Sequence, residues 1–245
     1  MKDINATIII NFEGKNQEEV WRNIKYSRRK YVQQAQKSGL YYEKAFSESS
    51  EENLKEMYEM HMQTLEEGGA VKWTYEKWRD FVLSAGEKFF YIKKGNEIIG
   101  CFALGEITER LYGKESDKKG IRPLVFANKK EYNELRPNDY MYWESIKYAL
   151  INSYSFIDLG GWQINARGHL KNVNQFKEQW GGEIVYYDLD YPFLTAIRRK
   201  LIRKYSIFWQ INTFIKKSFG KIGKSAHDDI IKNATARNLT SSSST

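Results

Sequence analysis

The sequence is poor in the residues that build disulfides and metal centres. Its 245 residues include a single cysteine, Cys101, and three histidines, His61, His169 and His227. One cysteine excludes an internal disulfide and a cysteine-rich zinc site. None of the histidines has a second histidine at the spacing of a metal-binding pair on a helix. We therefore predict no metal site.

The motifs of several large enzyme classes are also missing. The sequence contains no phosphate-binding G-x-x-x-x-G-K-[ST] loop, no dinucleotide-binding G-x-G-x-x-G and no G-x-S-x-G nucleophile elbow. These absences argue against a P-loop nucleotide hydrolase, a Rossmann dehydrogenase and a Ser-His-Asp hydrolase. No apolar run approaches the ~20 residues that span a bilayer, and no early stretch resembles a signal peptide. The expected location is the cytoplasm.

The positive charge is concentrated in one segment. The chain carries 39 basic and 31 acidic residues, a net charge of +8. Residues 192–224 contain nine of the basic residues and no acidic one, so the rest of the chain is close to neutral. Apolar residues recur there at helical spacing, which predicts a basic amphipathic helix. Such a helix suits an anionic membrane surface, another protein surface or RNA, and the sequence leaves these three partners open.

The pattern of apolar runs and turn residues predicts a mixed fold. With 41% hydrophobic residues the chain can form a large core. Helices are predicted over 18–39, 50–67, 74–86 and 139–153, with a further short helix before Gly181, and strands over 7–12, 40–46, 88–94, 97–107, 122–127, 156–161 and 183–188. Residues 1–191 are expected to form one domain, 192–224 the amphipathic helix and 225–245 a disordered tail.

Two short segments contain residues suited to chemistry. In FIDLGGW, residues 156–162, paired glycines after a strand either bring backbone N–H groups close to a ligand or form a tight turn. In NQFKEQWGG, Lys177 follows Phe176 and lies three residues before Trp180. Phe176 and Trp180 are four residues apart, so their aromatic rings share one helix face. Lys177 is therefore either a fixed cation at the edge of a cleft or an ordinary surface lysine.

Four segments, taken in order, resemble the Fem family of non-ribosomal peptidyltransferases, which have a GNAT-like acyltransferase fold. These segments are a basic helix ending in A-x-x-x-G, a Pro-Asn before a helix with Trp-Glu, a D-L-G-G strand end and an F-K-x-x-W-G segment. The matching residues are Arg28, Arg29, Ala35 and Gly39; Pro137, Asn138, Trp143 and Glu144; Asp158, Gly160 and Gly161; and Phe176, Lys177, Trp180 and Gly181. The resemblance covers about residues 7–190.

The resemblance implies an α+β fold, with a mainly antiparallel sheet flanked by helices, and an N-acyltransferase activity. It implies catalytic roles for Lys177, as oxyanion stabiliser, and for Asp158. The implied substrate-binding residues are Asn138, Tyr142, Trp143, Gly160, Gly161, Phe176, Arg28 and Arg29. Arg28, Arg29 and Phe176 would face the donor, whereas Asn138, Tyr142 and Asp158 would position the acceptor. The donor would be an aminoacyl-tRNA or an acyl-CoA, used as co-substrate with no tightly bound cofactor.

The sequence also departs from the family pattern. Fem ligases usually have two GNAT-like domains, and this chain is expected to correspond to the second, either as a truncated chain or as a shorter relative that acts on a different acceptor. The missing first domain and an oligomer partner are candidate partners. The R/Q-x-x-G-x-G/A loop typical of acetyl-CoA enzymes is not found, which favours an aminoacyl-tRNA or an unusual acyl donor. The acceptor that the resemblance implies is a cell-envelope precursor. The alternatives are an acetyl-CoA-dependent enzyme acting on an amino sugar, and a non-catalytic module that binds RNA or the inner face of the membrane.

Overall fold

The computed structural model describes residues 1–45, 50–67 and 71–204, and a seven-stranded sheet is its central feature. The strands are β1 (Lys2–Asn11), β2 (Leu40–Lys44), β3 (Phe89–Lys94), β4 (Glu97–Thr108), β5 (Lys119–Asn128), β6 (Phe156–Gly161) and β7 (Glu183–Asp190). Their order across the sheet is β2-β3-β4-β5-β6-β1-β7. The pairs β2–β3, β3–β4, β4–β5 and β1–β6 are antiparallel, and β5–β6 is parallel. The predicted mainly antiparallel sheet is confirmed.

Seven α-helices accompany the sheet in the described residues. They are α1 (Gln17–Asn23), α2 (Tyr26–Lys37), α3 (Glu51–Glu67), α4 (Tyr75–Leu83), α5 (Pro137–Ile151), α6 (His169–Glu178) and α7 (Phe193–Lys204). Side-chain caps stabilise the N-termini of two of these helices. Asn16 and Glu19 form a reciprocal capping box on α1, and the Thr74 side chain caps α4. None of these described helices is long and apolar enough to cross a membrane.

The prediction of one continuous helix over 18–39 was wrong. The backbone of Ile24 is extended, and its side chain is buried in the core. The next residue, Lys25, donates its backbone N–H to the carbonyl oxygen of Gln179 at 2.9 Å. A partner distant in sequence therefore satisfies this N–H group, and helical periodicity cannot reveal it.

The strands β5 and β6 pair only at their first residues. Gly120 pairs with Phe156 and Ile121 pairs with Ile157, after which β5 continues to Asn128 and β6 to Gly161. A Cβ atom on Gly120 would lie 2.4 Å from the ring of Phe156, so a glycine is required for this close approach. The residues that follow the paired positions on both strands line the site described below.

One buried hydrophobic cluster joins the sheet to the helices. Its largest members include Phe90, Phe102 and Trp180, all essentially inaccessible to solvent. Helix α5 lies against α2 and β5 and contributes Met141, Ile146 and other apolar residues to the cluster. Burial of this kind, at about 25 cal/mol per Å² of apolar surface, supplies most of the driving force that fixes α5 and β6.

The chain divides into two compact units. One comprises Asn5–Thr64 and Trp73–Tyr187, and contains every residue of the candidate site; the other comprises Met1–Ile4, Leu65–Lys72 and Asp188–Thr245. Within the second unit, Arg199 of α7 donates to the buried Asp3 carboxylate at 2.8 Å, and Arg203 also binds this carboxylate. The predicted amphipathic helix is seen only as α7, since residues 205–224 and the predicted tail 225–245 lie outside the described residues.

Candidate functional site

A buried carboxylate, Asp158 on β6, organises the centre of the site. Its Oδ1 atom accepts hydrogen bonds from the Thr7 hydroxyl and from the Gly160 N–H at 2.7 Å. Its Oδ2 atom accepts from the Tyr112 hydroxyl at 2.5 Å and from Nε of Arg122 at 2.7 Å. The side chain of Asp158 has no exposed surface. Since both carboxylate oxygens are already hydrogen-bonded, Asp158 is suited to holding its neighbours in position.

The groups around Asp158 remain good hydrogen-bond donors. Burial strongly raises the pKa of the Tyr112 hydroxyl, and the neighbouring Asp158 carboxylate raises this pKa further. Tyr112 therefore stays protonated and continues to donate. The Arg122 guanidinium, which is largely buried, is neutralised by Asp158. Tyr112 and Arg122 therefore both donate hydrogen bonds to the Asp158 carboxylate.

Lys177 reaches across the end of β6. Its Nζ atom donates to the carbonyl oxygen of Gly161 at 3.0 Å. Gly160 has a φ of +85°, and a Cβ atom at this residue would lie 3.2 Å from Nζ of Lys177. Glycine is favoured at Gly160 by its left-handed backbone, and it also leaves room for the lysine head group. The tight turn predicted from the paired glycines is therefore present at Gly160, and the approach of backbone N–H groups to a ligand stays a prediction.

The pKa of Lys177 lies well below its ordinary value. Burial of the side chain lowers this pKa from 10.5 to about 8; the Arg122 guanidinium lowers it as well, and the Asp158 carboxylate partly compensates. At pH 7 the ammonium form still predominates. Lysines with such pKa values are common among functional groups, because a desolvated charge interacts strongly with a substrate.

Aromatic residues pack together around the end of α6, close to Lys177 in sequence. Trp180 is fully buried and stacks on Tyr142 with ring centroids 5.3 Å apart, and Phe176 meets Tyr142 edge-on at 5.0 Å. The chain then turns at Gly181, where φ is +80° and a Cβ atom would lie 2.7 Å from the Asn23 carbonyl oxygen. The predicted glycine stop after α6 is therefore confirmed.

A second cluster lies at the beginning of α5. Arg28 pairs with Asp139 at 2.8 Å and lies over the rings of Tyr31, at 4.8 Å, and Phe176, at 5.0 Å. Arg136 covers the Tyr31 ring at 4.0 Å. The Nε atoms of Arg28 and Arg136 are buried and form no hydrogen bond within the described part of the chain. Two guanidinium groups with one carboxylate between them leave an excess of positive charge.

Tyr142 connects the two clusters. Its ring contacts Phe176 and Trp180, and its hydroxyl pKa is raised by burial and then by the carboxylates of Asp158 and Asp139. A tyrosine influenced by both carboxylates lies between them. The predicted residues Lys177, Asp158, Gly160, Gly161, Tyr142, Phe176 and Arg28 therefore form one connected region.

Three predicted binding residues lie outside that region. Arg29 faces the ring of Tyr26 at 6.0 Å, and Asn138 is exposed on the first turn of α5. Trp143 packs against Trp21 of α1, with ring centroids 4.4 Å apart. The substrate-binding roles of all the predicted residues remain predictions. A substrate would have to extend beyond the connected region to contact Arg29, Asn138 or Trp143.

Sequence reasoning missed four polar residues of the site: Thr7, Tyr112, Arg122 and Arg136. A usable signal existed for Arg122, because a lone arginine inside the apolar run IRPLVFA implies a buried partner. Tyr112 lies in a segment predicted as a polar loop, so nothing local marks it. No group of three or more His, Cys, Asp or Glu side chains suited to a metal ion occurs among the described residues.

Comparison with known proteins identifies the fold. No protein-family model and no curated protein sequence matches the chain. Among solved structures, FemX is similar with a TM-score of 0.57 at 16% identity, over 81% of this chain and 64% of FemX. The predicted resemblance to the Fem family is confirmed at the level of the fold. The chain spans less than two thirds of the length of FemX.

Two further structures share the fold. One is L-PGS from Bacillus licheniformis, with a TM-score of 0.50 at 13% identity over 83% of this chain and 68% of that protein. The other is the C-terminal domain of a protein proposed to be a lysylphosphatidylglycerol synthetase from Agrobacterium fabrum, with a TM-score of 0.51 at 12% identity over 82% of this chain and 66% of that one. Together with the sheet order, these similarities confirm the predicted GNAT-like fold class.

Proposed function

We propose that this protein is an N-acyltransferase of the Fem type, which transfers an aminoacyl or acyl group to an amine of a cell-envelope precursor. The observation that carries the proposal is the ammonium group of Lys177, held 3.0 Å from the Gly161 carbonyl oxygen at the end of β6, in a fold shared with FemX. A partly buried lysine in this position has a chemical use in acyl transfer, whereas an ordinary surface lysine would be fully solvated.

The proposed reaction uses the charge of Lys177. The acceptor amine attacks the carbonyl carbon of the donor ester or thioester, a C–N bond forms and the carbonyl oxygen becomes negative. The Lys177 ammonium stabilises this oxyanion, a role that typically lowers the barrier by ~2.7–4 kcal/mol. The intermediate then collapses, its C–O or C–S bond to the leaving group breaks, and the proton lost from the amine nitrogen passes through solvent to the departing alkoxide or thiolate, which leaves as the alcohol or thiol. No metal or tightly bound cofactor takes part in these steps.

Asp158 has a positioning role in this proposal. It has no exposed surface and hydrogen-bonds to Tyr112 and Arg122, so it does not itself contact the acceptor. Its carboxylate holds these two donors beside Lys177. Tyr142, which borders the same region, and Asn138, which is exposed on the first turn of α5, are the proposed acceptor contacts.

The arginine cluster is the proposed donor side. Arg28 and Arg136 present buried guanidinium groups at the start of α5, where the helix dipole also favours an anion, and Phe176 lies against Arg28. Arg29 follows on the same helix as Arg28 and would extend the basic surface. No glycine occurs between residues 121 and 159, so a glycine-rich backbone loop does not precede α5. Guanidinium groups suit the phosphates of either donor, and the absence of the glycine-rich loop favours an aminoacyl-tRNA over an acyl-CoA.

A surface on α7 supports docking at the inner face of the membrane. Phe193 is 64% exposed and Leu194 is 78% exposed at its first turn, and Arg198 and Lys200 add positive charge to the same helix. Exposed apolar side chains with basic neighbours suit an anionic lipid interface. The same surface would also fit a separate first domain or an oligomer partner. Co-sedimentation with anionic vesicles distinguishes membrane docking from these protein contacts.

Mass spectrometry of reaction products tests the proposed function. The full chain is incubated with alanyl-tRNA or with acetyl-CoA, in the presence of a peptidoglycan precursor or of glucosamine, and Lys177→Ala serves as the inactive control. Product from alanyl-tRNA that Lys177→Ala does not form supports the proposal. If only acetyl-CoA with glucosamine gives a product, the proposal is wrong and the protein is an amino-sugar acetyltransferase. No product from any combination favours a non-catalytic binding module.

A further inference from the structure

A groove separate from the lysine centre lies where α1, α2 and α5 meet. Its volume is about 300 Å³, and it is lined by Gln17, Glu18, Trp21, Gln33, Gln36 and Trp143. Trp143 is only 5% exposed and packs at 4.4 Å against Trp21, which is partly exposed. The volume is at the lower end of the range for small-molecule sites, so it suits one ring-sized group.

The polar part of the lining consists mainly of primary amides. The side chains of Gln17, Gln33 and Gln36 are all exposed, and each offers two N–H donors and a carbonyl acceptor. The one carboxylate, Glu18, is ion-paired with Arg22 on the next turn of α1. The groove therefore has an aromatic wall and hydrogen-bonding groups of both kinds, with little net charge.

This lining matches the chemistry of a sugar ring. A pyranose has C–H groups that pack on an aromatic face and, around its edge, hydroxyl groups that both donate and accept hydrogen bonds, as amides do. An alkyl chain would contact only the aromatic wall and gain nothing from the exposed amides of Gln33 and Gln36. A phosphate would meet the carboxylate of Glu18.

The groove and the lysine centre use different faces of α5. Tyr142 contacts Phe176 and Trp180 of the lysine region, whereas the next residue, Trp143, contacts Trp21. Successive helical residues point about 100° apart around the axis. A ligand on Trp143 therefore occupies a surface other than the one around Lys177.

We propose that this groove is a binding subsite for one pyranose ring of a neutral saccharide, with Trp21 as the stacking surface and the amides of Gln33 and Gln36 as hydrogen-bonding partners. The subsite does not depend on the proposed transfer reaction, since it would operate in a non-catalytic protein as well.

Saturation-transfer NMR and tryptophan fluorescence titration of the full chain with chitotetraose and with cellotetraose test the subsite. Saturable binding of at least one probe is expected, with a Kd in the millimolar range that is usual for a single small contact surface. Trp21→Ala and the double variant Gln33→Ala/Gln36→Ala should each weaken binding by about tenfold or more, the equivalent of about 1.4 kcal/mol. Gln63→Ala, an exposed amide on α3, is the matched control and should bind like the wild type.

The two variants separate ligand contact from folding. Trp21 belongs partly to the core, but the side chains of Gln33 and Gln36 are exposed, so their loss leaves the fold intact. The proposal is overturned by the absence of saturable binding of either probe at concentrations well above the millimolar range. It is overturned equally by binding that the glutamine double variant does not weaken.

Discussion

Replacing Lys177 with methionine should make the protein more stable and less active. Methionine keeps much of the length and the apolar stem of lysine but has no charge to desolvate. A lysine that lowers stability but raises activity is one that serves the reaction. A gain in stability together with a loss of activity in Lys177→Met would therefore identify a functional lysine.

The size of the stability gain follows from the pKa. A lysine whose pKa falls from 10.5 to about 8 on folding disfavours its charged form in the folded state by about 3 kcal/mol. Loss of the hydrogen bond to Gly161 subtracts about 1 kcal/mol from the gain. The variant Lys177→Met should therefore be about 2 kcal/mol more stable at pH 7, which corresponds to a rise in Tm of about 4–8 °C.

The gain should depend on pH in a defined direction. Below about pH 8 the wild-type lysine is charged in both the folded and the unfolded state, and the full penalty applies. Between about 8 and 10.5 the unfolded state binds more protons than the folded state, so wild-type stability rises relative to Lys177→Met. Above this window both states contain neutral lysine and the advantage of methionine disappears.

Activity should respond to the same titration. Lys177→Ala and Lys177→Met should each lower kcat by about a hundredfold or more, because the contact with the oxyanion forms mainly in the transition state. The wild-type rate should fall as pH rises through about 8, where the ammonium is lost. Lys177→Arg should also be slow, since a planar fork does not replace a point charge, but its residual rate should show no such fall.

Urea denaturation at pH 7 and pH 10.5, with product formation measured by mass spectrometry, gives both quantities. Lys171→Met is the matched control, because Lys171 is an exposed lysine on the same helix, and it should change neither stability nor rate. If Lys177→Met proves less stable than the wild type at pH 7 and keeps near-full activity, Lys177 is a structural residue and the oxyanion role is wrong.

Three substitutions in the site and one deletion outside it give further tests. Gly160→Val should lose both activity and stability, since its φ of +85° strains any side chain, whereas Gly161→Ala meets only an amide nitrogen at 3.8 Å and should lose activity with an unchanged Tm. Asp158→Asn should lower the free energy of unfolding by about 3–5 kcal/mol, because it leaves the guanidinium of Arg122 buried without a counter-charge, as urea denaturation would show. Removal of residues 192–224 should abolish salt-sensitive co-sedimentation with anionic vesicles; an intact chain that stays in the supernatant with such vesicles at low salt excludes membrane docking.

The parts of the fold with local signals were predictable from sequence. The hairpin of β3 and β4 follows from two apolar runs around Gly95-Asn96, and Gly95 has the positive φ that such a turn needs. The motif F-K-x-x-W-G similarly places Lys177 beside two packed aromatic residues, the partly buried Phe176 and the fully buried Trp180, which are four residues apart. In each case the deciding interactions lie within a few residues of one another.

The parts that depend on distant partners were not predictable. Tyr112 is 46 residues from Asp158 in sequence, and Arg122 is 36 residues away, so their meeting depends on how β5 and β6 are placed in the sheet. The break at Ile24 likewise depends on the Gln179 carbonyl, which belongs to the end of another helix. Periodicity reports which face of a segment is buried, but it does not report which groups are buried beside it.

The distribution of counter-charges explains why Lys177, rather than Arg28 or Arg122, is suited to the proposed reaction. The guanidinium groups of Arg28 and Arg122 each pair with a carboxylate, from Asp139 and Asp158 respectively. The ammonium of Lys177 instead donates to the carbonyl oxygen of Gly161, which has no formal charge. A charge satisfied only by a dipole keeps most of its attraction for a new anion, and low solvent exposure strengthens that attraction. An oxyanion that forms beside Gly161 would therefore gain more from Lys177 than from either arginine, whose charge is already balanced.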